Sequence, residues 1–345
     1  MATENRAVVE RLLAVSIGLA DVIGLGLVAA SLAIRGWPTD IDVVPWVVHP
    51  RALALFGLVP LGWHLAKWVS GSERSAIYAC LWVAAIFVSL SRTATAAALL
   101  LVLLAAIIRA RSTGSKIGTH YLLMALVPLV VIGVLTIAPF RARLFGAISP
   151  RNSTEKLELR DSGRSIMWTG IIHSAAEAPI IGKGLGTSQG VVSDTYYWVG
   201  HPHNDFLRIW HDLGAVGLVL FLSSLAVWAR TLWRDWFTLR DRSSQPRVLQ
   251  LAAMGALLSL VLGMLTDNSL VYGFVMAPTA VLVGAGLGAR GQVLRRRRKR
   301  RERDPQPVEL PGEAMLDDAA DGIQPELEQV AERFRIRRRK RRRTN

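Results

Sequence analysis

The sequence predicts an all-α, polytopic membrane protein with about eight transmembrane helices and one large external loop. Three observations carry this. Hydrophobic residues make up 51% of the 345 residues, and the mean hydropathy is +0.33. Charged residues supply only 19%, against roughly 25% in an ordinary soluble chain. The apolar residues also gather into long runs, at about 12–34, 52–66, 75–90, 93–108, 121–140, 213–229, 248–266 and 270–289. A spanning helix needs roughly 20 residues. Together these features exclude a soluble one- or two-domain chain, a disordered chain and a fibrous repeat. The single cysteine, Cys80, excludes a disulfide framework or a Cys-based metal site within one chain.

The first run exceeds a signal-peptide core and reads as a retained span. Asp21 interrupts it, and an acid in lipid is a functional candidate by default. The second, third and fourth runs are short, so they must recruit flanking polar residues or be re-entrant. Lys and Arg in the short connections set the orientation. With a cytoplasmic N-terminus, the inner segments carry Arg6 and Arg11; Lys67 and Arg74; Arg109, Arg111 and Lys116; and Arg230, Arg234, Arg240, Arg242 and Arg247. The short outer segments carry only Arg35, Arg51 and Arg92. Residues 141–208 then face outward. The expected location is the cell membrane, multi-pass, with the C-terminal tail cytoplasmic.

Two domains follow: a membrane domain, 1–293, and a basic, disordered tail, 294–345. Residues 295–345 hold 17 Lys+Arg against 10 Asp+Glu, in two basic runs around a Pro- and acid-rich stretch that cannot bury a core. The first run abuts a span, which favours a stop-transfer signal and adhesion to anionic lipids, at about 1 kcal/mol per basic residue, over nucleic-acid binding.

The external segment 141–208 is the only large hydrophilic stretch outside the tail, and long loops are often functional. It reads as a polar stretch to Asp161, a helix over about 163–177 with Ser162 as N-cap and Pro179 as its stop, and a Gly-rich, aromatic stretch from Gly182 to His203. Gly182-Lys183-Gly184-Leu185-Gly186 is not a phosphate loop, because the spacing of its glycines and lysine is wrong; it reads as a flexible turn after Pro179. His201-Pro202-His203-Asn204-Asp205 concentrates two imidazoles, an amide and a carboxylate just before a span. Zinc would need Asp205 or His211 as a third ligand, with no Cys or Glu in support, so no metal is expected. A general base suits the histidines better, since imidazole titrates near neutral pH. A structural role for them stays open on composition alone.

At these residues the sequence resembles the superfamily of O-antigen ligases and Wzy-type polysaccharide polymerases. His203-Asn204, nine residues, then Gly214-Ala215-Val216-Gly217 is similar to its His-Asn-x9-Gly-x-x-Gly signature. Pro179-Ile180-Ile181-Gly182-Lys183-Gly184-Leu185-Gly186 is similar to its Pro-Leu-Leu-Gly-x-Gly-x-Gly. Gly163-Arg164 with Trp168, Ser91-Arg92-Thr93, and His49-Pro50-Arg51-Ala52-Leu53-Ala54 resemble further elements, with Arg51 where the family usually has Asn. The resemblance covers about 45–290. It implies a GT-C-like membrane fold. Members commonly have ten to twelve spans, so several N-terminal spans are expected to be lacking here.

The resemblance implies a metal-independent glycosyltransferase without a cofactor. It would move a glycan from an undecaprenyl-diphosphate carrier to a sugar hydroxyl, on a glycan or lipid-glycan acceptor, at the outer face. Arg92 and Arg164 would then grip the diphosphate, because the guanidinium fork bonds two oxygens at once. His203 would activate the hydroxyl, with Asn204 or Asp205 orienting it. Trp168, Tyr196, Tyr197 and Trp198 would stack on sugar rings. Each has a plainer reading: Arg92 as a snorkelling end-of-span arginine, Arg164 as helix surface, the loop aromatics as an interfacial belt. A second functional class is a non-catalytic transporter or scaffold for surface-polysaccharide assembly. Polar spans near the midplane would favour it, and only Asp21 and His64 qualify. Ligase and polymerase differ in acceptor, and the motifs do not separate them.

Overall fold

The computed structural model describes residues 2–36, 49–113, 163–195, 200–238 and 245–303. The predicted span 121–140, the polar stretch 141–161, Ser162, Tyr196, Tyr197 and Trp198, and the tail beyond Arg303 lie outside the described residues. The chain divides into two units, Met1–Val293 and Leu294–Asn345. In the second, residues 294–303 are helical.

Among the described residues every regular element is helical. Helix α1 (Ala2–Ala20) runs through a π turn, Asp21–Leu25, into α2 (Gly26–Arg35). Then come α3 (Pro50–Val69), α4 (Glu73–Val88), α5 (Arg92–Thr113), α6 (Arg164–Ala176), α7 (Thr187–Thr195), α8 (Asp205–Thr238), α9 (Gln245–Thr266) and α10 (Gly273–Arg303), with a 3-10 turn at Ser269–Val271 before the last. Five stretches among the described residues are long and apolar enough to cross a membrane: Arg11–Ile34, Pro50–Val69, Arg92–Ser112, Asp205–Phe237 and Pro246–Thr266. Gly273–Ala289 is apolar but shorter, and α4 has only 16 residues. The second and fourth predicted runs gain length as foreseen, by taking in Pro50, Arg51 and Lys67 and Arg92, Arg109 and Arg111 at their ends. The last predicted run does not begin at Leu270. Residues 269–271 form the 3-10 turn, and α10 starts at Gly273.

Helix α3 is the centre of the unit. It is 78% buried over its most apolar window, against 17% for α8. Small residues permit this. A methyl at Gly62 would lie only 3.7 Å from the Gly255 and Ala256 backbone of α9, and Ala94, Ala97 and Ala98 of α5 are buried in the same cluster as Leu55, Leu58 and Leu61. Lipid gives no hydrophobic drive between helices, so close backbone approach at small residues carries the packing. Trp82 fills the space over two glycines: a methyl at Gly57 would fall 2.7 Å from its ring, and one at Gly24 would clash with it.

Asp21 and His64 meet. The Asp21 carboxylate lies 3.0 Å and 3.1 Å from His64 Nε2 and accepts the Trp82 indole N–H at 2.8 Å. All three are buried. The Asp21 carboxylate is thereby satisfied between the N-terminal helix, α3 and α4, where an unpaired acid would be costly.

The bundle has two chemically distinct ends. At one, cations lie over indoles: Lys67 over Trp63, Arg109 over Trp68, Arg247 over Trp236. Arg109 also bonds the Trp68 carbonyl and Glu73. At the other, the starts of α3, α5 and α8 converge on the end of α9.

Candidate functional site

That second end holds a small pocket lined by Arg51, Leu90, Ser91, Arg92, Thr93, Arg164 and Asp267. Each comes from a short junction. Arg51 is in the first turn of α3, behind Pro50 at its N-terminus. Arg92 opens α5 after the turn Ser89–Ser91, which the Ser89 and Ser91 hydroxyls hold through the Ile86 carbonyl, the Ser91 N–H and the Ala94 N–H. The Thr93 and Thr266 hydroxyls bond each other and tie α5 to the end of α9. Arg164 opens α6, whose N-cap is Gly163 in the left-handed region (φ 76°) rather than Ser162. Only a residue without Cβ enters that conformation freely.

The His201–Asp205 segment approaches the pocket through Asp267. His203 Nδ1 is 3.4 Å from Asp267 Oδ1 and 3.0 Å from the Asn268 side-chain nitrogen. The His203 backbone N–H donates to Asn268 Oδ1 at 2.9 Å, and the Asn268 N–H to Asp267 Oδ1 at 2.9 Å. His203 has φ 51°, and Leu90, in the pocket wall, φ 55°. These are the two non-glycine residues with positive φ among those described. Such strain costs of order 1–3 kcal/mol and persists where surrounding contacts enforce it. Both instances fall on the junctions that deliver His203 and Arg92.

Electrostatics follow from this geometry. Burial by itself would push the Asp267 carboxyl up. The hydrogen bond to His203, the Asn268 N–H and the positive Arg51 together hold it below its ordinary value, so it is an anion at neutral pH. His201 is pushed below the usual imidazole value by burial first, then by the Arg208 cation and the neighbouring His203 ring. Burial pushes the Tyr272 phenol up, with Asp267 adding to it.

Three residues expected to bind substrate are engaged within the protein. Asn204 Oδ1 accepts the Phe206 and Leu207 N–H groups at 3.0 Å and caps α8, the use for which Asn is favoured at a helix start. Asp205 is fully buried and accepts the Leu270 N–H at 2.9 Å, so it locks α8 to the 3-10 turn. Neither orients the imidazole; Asn268 and Asp267 do. Trp168 packs beside Met167, Ile171 and Val192 and donates its indole N–H to the Pro202 carbonyl at 2.8 Å. It is a strut under the His201–His203 turn. Sequence reasoning passed over Asp267 and Asn268 altogether. The available signal was an acid-amide pair alone between two apolar runs, 248–266 and 270–289.

The Gly-rich stretch is anchored, not a flexible turn. Lys183 and Gly184 donate their N–H groups to the His211 and Asp212 carbonyls, both at 2.9 Å, and Ala215 and Val216 donate to Pro179 and Ile180. The Asp212 carboxylate accepts the Gly186 and Ser188 N–H groups. His211, fully buried, bridges Asp212 and the Ser174 hydroxyl at 3.0 Å each. Gly182 (φ 75°) and Gly214 (φ 65°) touch where this loop crosses the kink in α8. A methyl at Gly182 would lie 2.5 Å from the Asp212 carbonyl oxygen.

Among the described residues no group of three His, Cys, Asp or Glu side chains could hold a metal ion. The family model described as O-antigen ligase matches residues 76–222. The matched stretch includes Arg92, Arg164, His203, Gly182 and Gly214 and excludes Arg51, Asp267 and Asn268. No curated protein matches the chain.

Proposed function

We propose, from the membership of residues 76–222 in the O-antigen ligase family, that this membrane protein is a glycosyltransferase. It takes a glycan from an undecaprenyl-diphosphate carrier and passes it to a sugar hydroxyl, as a ligase or a polymerase does. One observation carries the reading. Asp267 stands in the wall shared with Arg51, Arg92 and Arg164 and also beside the His203 imidazole. An anion-binding arginine cluster and a proton acceptor therefore meet around one carboxylate.

The chemistry divides between them. The arginines hold the diphosphate and stabilise its charge as the glycosyl bond breaks. His203 removes the proton from the attacking hydroxyl. To act through Nε2, the ring must carry its own proton on Nδ1, and Asp267 is the neighbour that accepts it there. Asn268 supports the opposite tautomer, so the Asp267 charge decides between them. Asp267 is thus a positioning residue. No step needs a metal ion. A groove of about 570 Å³ between α1, α3 and α10, lined by apolar groups such as Ile17, Phe56 and Val281, lies apart from the polar pocket and fits a lipid chain. One of its lining residues, Phe274, is one residue past the start of α10.

The test is transfer of radiolabelled glycan from a lipid-linked donor to defined acceptors by purified protein. His203→Ala should lose most activity, since general-base catalysis contributes about 10²–10⁴-fold. His201→Ala should lose less, and EDTA nothing. Wild-type turnover in His203→Ala, or dependence on added Mg²⁺ or Mn²⁺, would sink the mechanism.

A further inference from the structure

Helix α8 carries its own depth gauge. Trp233 and Trp236 lie near its C-terminal end, with Arg230 and Arg234 among them, and indoles mark membrane–water interfaces. Trp210 lies before the kink at Gly214, so depth is counted along the straight part of the helix, which rises about 1.5 Å per residue. A hydrocarbon core is about 30 Å thick. Val216 is about 26 Å from Trp233, just inside the opposite edge of the core. Val216, Val219 and Leu220 are all exposed, as a lipid-facing stripe requires.

The Pro179–Gly186 loop is bonded to this level of α8. The Ala215 N–H donates to Pro179 at 2.8 Å, the Val216 N–H to Ile180 at 3.1 Å, and the Trp210 indole to Pro179 at 3.2 Å. Its side chains have the wrong character for water: Ile180 is 65% exposed, Ile181 78% and Leu185 81%. Its backbone has the right character for lipid. Four of its N–H groups, those of Gly182, Lys183, Gly184 and Gly186, are bonded within the protein, which lowers the cost of irregular backbone at membrane depth. Its one charged side chain, Lys183, is drawn to Ser174 at 3.0 Å and Glu177 at 2.5 Å.

We propose that this loop is a lipid-embedded wedge: Ile180, Ile181 and Leu185 enter the acyl chains at the interface opposite Trp233 and Trp236, continuous with the exposed face of α8. The occupant is lipid hydrocarbon, because the patch extends a surface that already faces lipid and lies at its edge. The wedge would fix α6, and with it Arg164, at headgroup height. The inference uses only membrane insertion and does not depend on the transfer reaction.

The experiment uses the full chain in phospholipid nanodiscs with Cys80→Ser. A single cysteine replaces Ile181, Leu185 or, as control, the exposed Ser193 of α7, and carries the fluorophore NBD. The two loop positions should emit to the blue of Ser193. Lipids with a nitroxide high on the acyl chain should quench them at least twofold more than lipids with a deep nitroxide, and aqueous iodide should barely touch them. Iodide quenching equal to that at Ser193 overturns the proposal. So does protection from iodide and from both nitroxide lipids, which would mean that protein covers the loop.

Discussion

Replacing Asp267 with Asn removes one charge and changes little else. The side chain is 2% exposed, so solvent screens it weakly, and the amide fits the same space. Two unit charges 3.4 Å apart interact by about 5 kcal/mol at an effective dielectric of about 20. Arg51 offsets part of this, and Asn268 still holds the ring, so about 3–4 kcal/mol is expected at the transition state. That is a hundred- to thousand-fold in turnover. The assay is steady-state glycan transfer across a pH series. The kcat should fall, with KM for the donor nearly unchanged. Asp267 is held below its ordinary value, so it stays ionised across the series and the acid limb belongs to the imidazole. A neutral imidazole protonates less readily without a carboxylate beside it, so the limb should move to lower pH in Asp267→Asn. Asp267→Glu should recover part of the loss. Wild-type kcat, or a loss with the acid limb unmoved, would refute the assignment of Asp267 as the group that sets the tautomer of His203.

Arg92→Lys and Arg164→Lys should each cut transfer at least tenfold at normal abundance in the membrane, because a point charge loses the bidentate geometry; full activity in both returns them to surface roles. Gly214→Ala and Gly182→Ala should each destabilise by about 2–4 kcal/mol, from a left-handed backbone and a direct clash. Thermal unfolding in detergent reads this against Gly190→Ala, where nothing lies within 4 Å. In a chain with Cys80 replaced, a cysteine at Ser153 should label with an impermeant thiol reagent in intact cells and one at Ser244 should not. The reverse pattern overturns the orientation.

The sequence by itself determined the membrane class, the helical content and the segments that converge at the polar pocket. Those properties rest on local signals: long apolar runs, their positive flanks, and polar residues gathered at the ends of runs. His203, Arg92 and Arg164 could be picked out because each stands in a short contiguous motif. What surrounds them was decided by tertiary structure. Asn204 looks like a ligand in one dimension and is a helix cap in three, because helix α8 starts one residue later. Asp205 looks available and is buried, because the 3-10 turn closes over it. Asp267 carries no motif; it reaches His203 from 64 residues away, since α8 and α9 run antiparallel and return the chain to the same end. Asp21 and His64 appear as separate costs along the sequence and pair once packed. Gly182 and Gly214 read as turn and packing residues, yet their necessity comes from each other. A side chain's chemistry is written at its own position, but its partners depend on which distant backbone is brought within about 3 Å, and only the folded bundle fixes that.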